Sequence, residues 1–140
     1  MMKRLTAILL GTLMALPVVA EDVDRTVDAS ADGHVHVSNI AGEVTIRGWT
    51  RNEVEVTGEL GRDVEELIVE RDGDKVTIKV KVPRKSGRGI DSDLHIQVPQ
   101  RSSIDVGTVS ADIDVTEVQG EQSLNTVSGD VNTEAFDSDI

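Results

Sequence analysis

The stretch Val106-Gly107-Thr108-Val109-Ser110-Ala111-Asp112-Ile113 recurs further along the chain as Leu124-Asn125-Thr126-Val127-Ser128-Gly129-Asp130-Val131. Four of the eight positions are identical and the rest are conservative exchanges. A unit this short cannot enclose a core, so it must stack on a neighbour. Stacked short strands predict an all-β fold, either a short-strand β-solenoid (β-helix-like) or a sandwich built in the same way. Working outward, Gly42-Glu43-Val44 aligns with Ala111-Asp112-Ile113 and with Gly129-Asp130-Val131. Continued along the three copies, the alignment sets Trp49 opposite Val118 and Phe136, a position defined by being apolar. Trp49 is therefore expected in the core, with a sugar-stacking platform as the alternative. The interval from Gly42 to Ala111 is not a whole multiple of the interval from Ala111 to Gly129, so the middle of the chain reads as an insertion in the stack.

The remaining segments follow from period-2 alternation. His34-Val35-His36-Val37 is a strand with one buried face. Residues 43–49 form another with Val44 and Ile46 inward, and residues 53–60 a third with Val54 and Val56 on one face. Residues 64–82 read as an inserted β-hairpin, because Asp72-Gly73 is a tight-turn signal between alternating runs. With Asp72 and Gly73 central, Glu70 would pair with Lys75, Val69 with Val76, Leu67 with Ile78 and Glu66 with Lys79. Residues 83–89 (PRKSGRG) form a loop with one proline, two glycines and no aliphatic residue other than that proline. Residues 93–99 alternate again.

Residues 1–20 carry the pattern of an export signal: Lys3 and Arg4, an apolar run at 5–16, and Val18-Val19-Ala20 before Glu21. Cleavage is expected after Ala20, giving a periplasmic or cell-surface protein that is not an integral membrane protein; an uncleaved anchor is the alternative. Residues 21–33 read as a flexible leader, and residues 34–140 as a single domain. The chain has no cysteine, which excludes both a lipid-modified N-terminal cysteine and a disulfide framework. The net charge of -12 becomes -14 once Lys3 and Arg4 are removed. Arg101 is the last basic residue, and nine Asp or Glu follow it. An acidic half of this kind argues against nucleic acid as a partner.

The runs VSNIAGEVTIRGW (residues 37–49), TVSADIDV (108–115) and TVSGDV (126–131), with the hairpin between them, resemble the bacterial "putative adhesin" β-solenoid family. This family occurs in secreted and envelope proteins and is similar to the head domains of autotransporter adhesins. The resemblance covers about residues 33–140. It implies a stack of short strands, an envelope location and no catalytic residues or cofactor. Stacks of this family continue through further rungs, whereas this chain stops at Ile140. The expectation is a truncated product; the alternatives are self-association or docking at the open C-terminal edge, and an acidic cap from Asp137 and Asp139.

Four constellations could carry chemistry. Asp112 and Asp130 fall at equivalent positions of successive rungs, as in β-helical carbohydrate-active enzymes, though turn chemistry explains both. Asp112, Asp114, Asp130, Asp137 and Asp139 could hold calcium, yet neither an EF-hand loop nor a glycine-rich nonapeptide is present. His34 and His36 share a strand face and could chelate zinc, with an exposed polar face as the default. Catalytic and metal residues are accordingly set at none. The best candidate is a basic strip of Lys75, Lys79, Lys81, Arg84, Lys85 and Arg88, the one positive region of an acidic chain, suited to an envelope glycan, protein or polyanion such as lipopolysaccharide phosphates. Against this stands simple pairing of Lys75 and Lys79 with Glu70 and Glu66.

Overall fold

The computed structural model of the chain describes residues 20–84 and 89–134. They form nine strands: β1 (Ala20–Asp28), β2 (His34–Trp49), β3 (Glu53–Gly61), β4 (Glu66–Asp72), β5 (Lys75–Lys81), β6 (Asp91–Pro99), β7 (Ser103–Thr116), β8 (Gln122–Thr126) and β9 (Val131–Thr133). No described residue is helical, so the all-β expectation holds.

The long strand β2 is the spine. Its buried positions are odd-numbered through Val35, Val37, Asn39 and Ala41, then even-numbered at Val44, Ile46 and Gly48. One extra residue at Gly42, which sits at φ 112°, produces this change of parity. A side chain there would also meet the Ser92 carbonyl oxygen at 2.3 Å. The bend lets one strand serve two partners on the same flank. Residues 34–38 pair in parallel with β5, and residues 41–49 pair in parallel with β6. On the other flank β7 follows both halves in parallel, from His34 beside Ser103 to Arg47 beside Thr116. β8 and β9 then lie beside the two halves of β7, with Ile104 next to Gln122 and Ile113 next to Val131. The sequence offsets from Val44 to Ile113 and from Ile113 to Val131 are thus the strand registers themselves. In a parallel ladder a constant offset keeps each residue type in one row and on one face.

Antiparallel strands complete the sheet. β3 pairs with β6, β1 with β3, and β4 with β5, giving the order β1-β3-β6-β2-β5-β4. The two ends of this order approach each other where Arg25 Nη1 donates to the Leu67 carbonyl at 3.2 Å. The result is a nearly closed, barrel-like sheet around an aliphatic core. Val37, Val44, Ile46, Val54, Val56, Ile78, Leu94 and Val98 are fully buried. Burying such side chains contributes roughly 1.5–3 kcal/mol each, and with no cysteine this is the principal glue.

Four expectations are corrected. The middle of the chain, read as an insertion in the stack, is integral to the sheet, because β5 and β6 flank β2 in parallel. The hairpin exists, but its central residues are Gly73 and Asp74, so Asp72 faces Lys75, Val69 faces Ile78 and Glu66 faces Lys81. Gly73 has φ 63° and Asp74 does not have positive φ, the sign pattern of a type II′ turn with glycine first. The shift amounts to one full strand period, so the apolar face survives it. Residues 21–33 are not wholly a leader: residues 20–28 are β1, held by its pairing with β3 and by half-buried Val23 and Val27. Trp49 stands outside the core: counting by two from inward Val44 and Ile46 turns Gly48 inward and Trp49 outward, whereas Val118, with which it aligns, is buried beyond the end of β7, after Glu117 at φ 59°. Phe136, Asp137, Asp139 and the signal at 1–20, except Ala20, lie outside the described residues.

Candidate functional site

On β5 the alternation buries Val76, Ile78 and Val80 and exposes Lys75, Lys79 and Lys81. Arg84 is exposed just beyond the strand; Lys85 and Arg88 lie outside the described residues. The three lysines stand in the middle of a polar sheet face made by β4, β5, the first half of β2, the first half of β7, and β8. Its rows follow from the registers. One row runs Asp72, Lys75, His34, Ser103, and the next runs Glu70, Thr77, His36, Asp105, Ser123. The third runs Ile68, Lys79, Ser38, Gly107, Asn125, and it carries no charge except Lys79. A fourth sets Glu66 beside Lys81.

The pairing that would have neutralised the strip is not made as expected. Among the described residues the ion pairs within 4.0 Å are Arg47–Glu117 at 2.9 Å and Arg51–Glu53 at 3.7 Å, and His36 Nδ1 lies 3.2 Å from Asp105 Oδ2. None involves Lys75, Lys79 or Lys81. Acidic Glu66, Glu70 and Asp72 on β4 border one side of the lysine column, and His34, His36 and Ser38 border the other. A concavity of about 490 Å³ opens at one end of this face, lined among others by His34, His36, Lys75, Asp105 and Glu121.

Sequence reasoning treated the histidines as metal candidates and the lysines separately. Their adjacency comes from a parallel pairing between segments far apart in the chain, as in His34 beside Lys75. No local pattern encodes such a register, so no signal in the chain could have announced it.

The acidic rows lie on the second halves of β2 and β7 and beside β9. Glu43 lies beside Asp112, and the backbone N–H of Asp130 donates to Asp112 Oδ1 at 2.9 Å. Asp112 therefore holds the main chain just before β9, a turn-fixing use of its carboxylate. Among the described residues no group of three or more His, Cys, Asp or Glu side chains is placed to hold a metal ion. Trp49 is fixed as well: its indole N–H donates to the Glu53 carbonyl at 2.8 Å. The Arg51 guanidinium lies 5.2 Å from the ring centroid, which places a cation over one ring face.

No family model and no curated protein matches the chain. Among solved structures it is similar to a "putative cell adhesion protein" from Clostridium sporogenes, with TM-score 0.49 and 12% identity over 82% of this chain and 68% of that one. It is similar to a "putative lipid binding protein" from Parabacteroides distasonis, with TM-score 0.46 and 14% identity over 80% of this chain and 51% of that one. A "putative adhesin" from Bacteroides fragilis gives 0.44 and 11%, covering 81% and 56%. The chain thus spans about two thirds of the first and little more than half of the other two. What those names say of binding belongs to those proteins. No helix among the described residues is long and apolar enough to cross a membrane.

Proposed function

We propose that this chain is a non-enzymatic, exported module of the cell envelope that binds a phosphate-rich polyanion through the β5 column of Lys75, Lys79 and Lys81, extended by Arg84. The observation that carries the reading is the column itself. Three exposed lysines share one face of a single strand in a chain with net charge -12, and none has a carboxylate within 4.0 Å among the described residues. Lys79 is the centre of the site, since its row offers no other charge. A phosphate-rich polyanion needs several cations on one face, and Lys75, Lys79 and Lys81 supply them, with Thr77 at the alternate position between the first two. The flanking acidic column of β4 restrains this attraction and limits it to dense polyanions such as lipopolysaccharide phosphates.

In the same reading the parallel ladder β2–β7–β8/β9, with two strand segments at each level, is a short-strand β-solenoid, to which β1, β3 and β4 are added antiparallel. Residues 1–20 direct export, and β1 then begins the mature fold.

The test is salt elution from a phosphorylated polyanion resin. Wild-type protein is expected to be retained at low ionic strength and released by salt, Lys75→Gln/Lys79→Gln/Lys81→Gln to flow through, and Glu66→Gln/Glu70→Gln to elute later than wild type. Equal elution of all three proteins sinks the proposal.

A further inference from the structure

The concavity of about 490 Å³ at one end of the lysine face has a polarity that a column of lysines does not explain. Two rows of the sheet meet in it. One runs Lys75, His34, Ser103 and the other His36, Asp105, Ser123, with Glu121 at the rim just before β8. Nitrogen groups therefore stand on β5 and β2, while carboxylates and hydroxyls stand on β7 and beside or on β8. Of the lysine column only Lys75 lines the concavity. The volume falls in the range of small-molecule sites, roughly 300–1,000 Å³.

The registers fix which atoms are on offer. Neighbouring strands lie about 4.8 Å apart, so Lys75 and His34, paired across β5 and β2, reach one common oxyanion. Lys75 brings an ammonium and His34 a ring N–H in either tautomer. The Asp105 carboxylate accepts only, so the hydrogen in its 3.2 Å contact with His36 Nδ1 comes from the histidine. That contact engages Oδ2, steadies the side chain and leaves Oδ1 for another donor. Ser123, beside Asp105 on the next strand, adds a hydroxyl that donates or accepts. From β5 to β8 the face spans three strand spacings, roughly 14 Å, enough for a phosphate together with the sugar that carries it.

We propose that this concavity is a phosphosugar subsite, in which Lys75 and His34 hold a phosphate monoester while Asp105 and Ser123 hydrogen-bond the hydroxyls of the sugar attached to it. The phosphate is that of the polyanion reading, on which the proposal rests; the sugar goes beyond it and makes the ligand a phosphorylated glycan. The placement of Asp105 carries the argument. A carboxylate close to a phosphate repels it, so a site for phosphate alone gains nothing from one. A sugar hydroxyl, by contrast, donates to a carboxylate in a charge-assisted bond roughly twice as strong as a neutral one. The same side chain thus disfavours bare phosphate and favours phosphate on a hydroxylated body, which is selection by repulsion and attraction together. Glu121 at the rim acts in the same sense. The lining holds no Trp or Phe, so recognition runs through hydrogen bonds and not through ring stacking.

The test is NMR titration of the isotope-labelled chain, following the amides of His34, His36, Lys75 and Asp105, with inorganic phosphate and with the phosphate monoesters at the primary hydroxyl of glucose, galactose and mannose, at one pH and ionic strength. At least one sugar phosphate is expected to bind about tenfold tighter than inorganic phosphate. Asp105→Ala should split the two: inorganic phosphate binds tighter, because a negative charge is gone, and the advantage of the sugar phosphate disappears. Asp105 is exposed, so this variant is expected to keep the wild-type spectrum away from the concavity. Lys75→Gln should weaken all four ligands. Equal binding of the four, binding of none, or a sugar advantage that survives Asp105→Ala overturns the proposal. The polyanion reading is judged separately on the phosphorylated resin: retention that depends on the lysines, without a sugar preference, keeps that reading and sinks the subsite.

Discussion

Replacing Gly48 with alanine should destabilise the fold, although Gly48 lies in an extended strand with no unusual backbone angle. Its inward position is filled by main chain: an added Cβ would lie 1.9 Å from the Glu117 carbonyl oxygen and 3.3 Å from Gln100 Cα. Relief requires a backbone displacement of about 1 Å in close-packed surroundings. The obstructing residue is itself constrained, since Glu117 is the one non-glycine residue with positive φ among those described. Overpacking of this kind costs typically ~1–3 kcal/mol, and because main chain cannot swing aside the upper end applies. For a domain of this size that corresponds to a fall in melting temperature of roughly 10 °C. Two other glycines separate space from backbone conformation. Gly107 has nothing within 4 Å of an added Cβ and no positive φ, so Gly107→Ala should gain ~0.4–1 kcal/mol by restricting the unfolded chain. Gly73 has the same open space but φ +63°, so Gly73→Ala should lose ~1–2 kcal/mol. Urea unfolding followed by fluorescence of the single tryptophan measures all three. A Gly48→Ala protein as stable as wild type, or one more stable than Gly73→Ala, would refute the packing argument.

Asn39 is 1% exposed, donates from Nδ2 to the Ser92 carbonyl at 3.0 Å and accepts the Ile40 N–H on Oδ1 at 2.8 Å. Asn39→Ala should therefore cost ~2–3 kcal/mol in urea unfolding by stranding both groups, and Asn39→Thr, the residue found at the equivalent positions 108 and 126, should cost less. The Ser102 hydroxyl is buried without a partner, so Ser102→Ala should leave the unfolding midpoint unchanged or raise it. Asp112→Asn keeps an oxygen for the Asp130 N–H and should shift stability by less than ~0.5 kcal/mol. If the protein released reducing ends from envelope polysaccharide and Asp112→Asn stopped it, the non-enzymatic reading would fall.

The aliphatic alternation of residues such as Val54, Val56, Leu94 and Ile96 was enough to place strands and their inward faces, because side-chain direction in a strand depends only on counting by two. Aligning Val44 with Ile113, and Ile113 with Val131, reached further and anticipated long-range register, since a parallel ladder keeps a constant offset along its whole length. Alignment failed at the strand end. Counting from Val44 and Ile46 places Trp49 outward, under Arg51, whereas its aligned partner Val118 is buried beyond β7 because Glu117, at φ 59°, turns the chain there. The hairpin register failed for a different reason. Asp72-Gly73 and Gly73-Asp74 are both admissible turns by residue type and Gly73 is left-handed in either; what distinguishes them is that Asp72 does not have the positive φ a type I′ turn would require.

The candidate site divides in the same way. That Lys75, Lys79 and Lys81 share one exposed face was legible from their spacing. That they lack ion-pair partners within 4.0 Å among the described residues, and stand beside His34 and Ser38, was not. The sequence by itself determined the strand class, the inward faces and the offsets that bring β2, β7, β8 and β9 together. The tertiary structure alone decided that β5 and β6 join β2 as neighbours and that β1 approaches β4 through Arg25. These pairings depend on contacts between segments whose sequences share no repeat, and their partners are chosen by the closing of one common core.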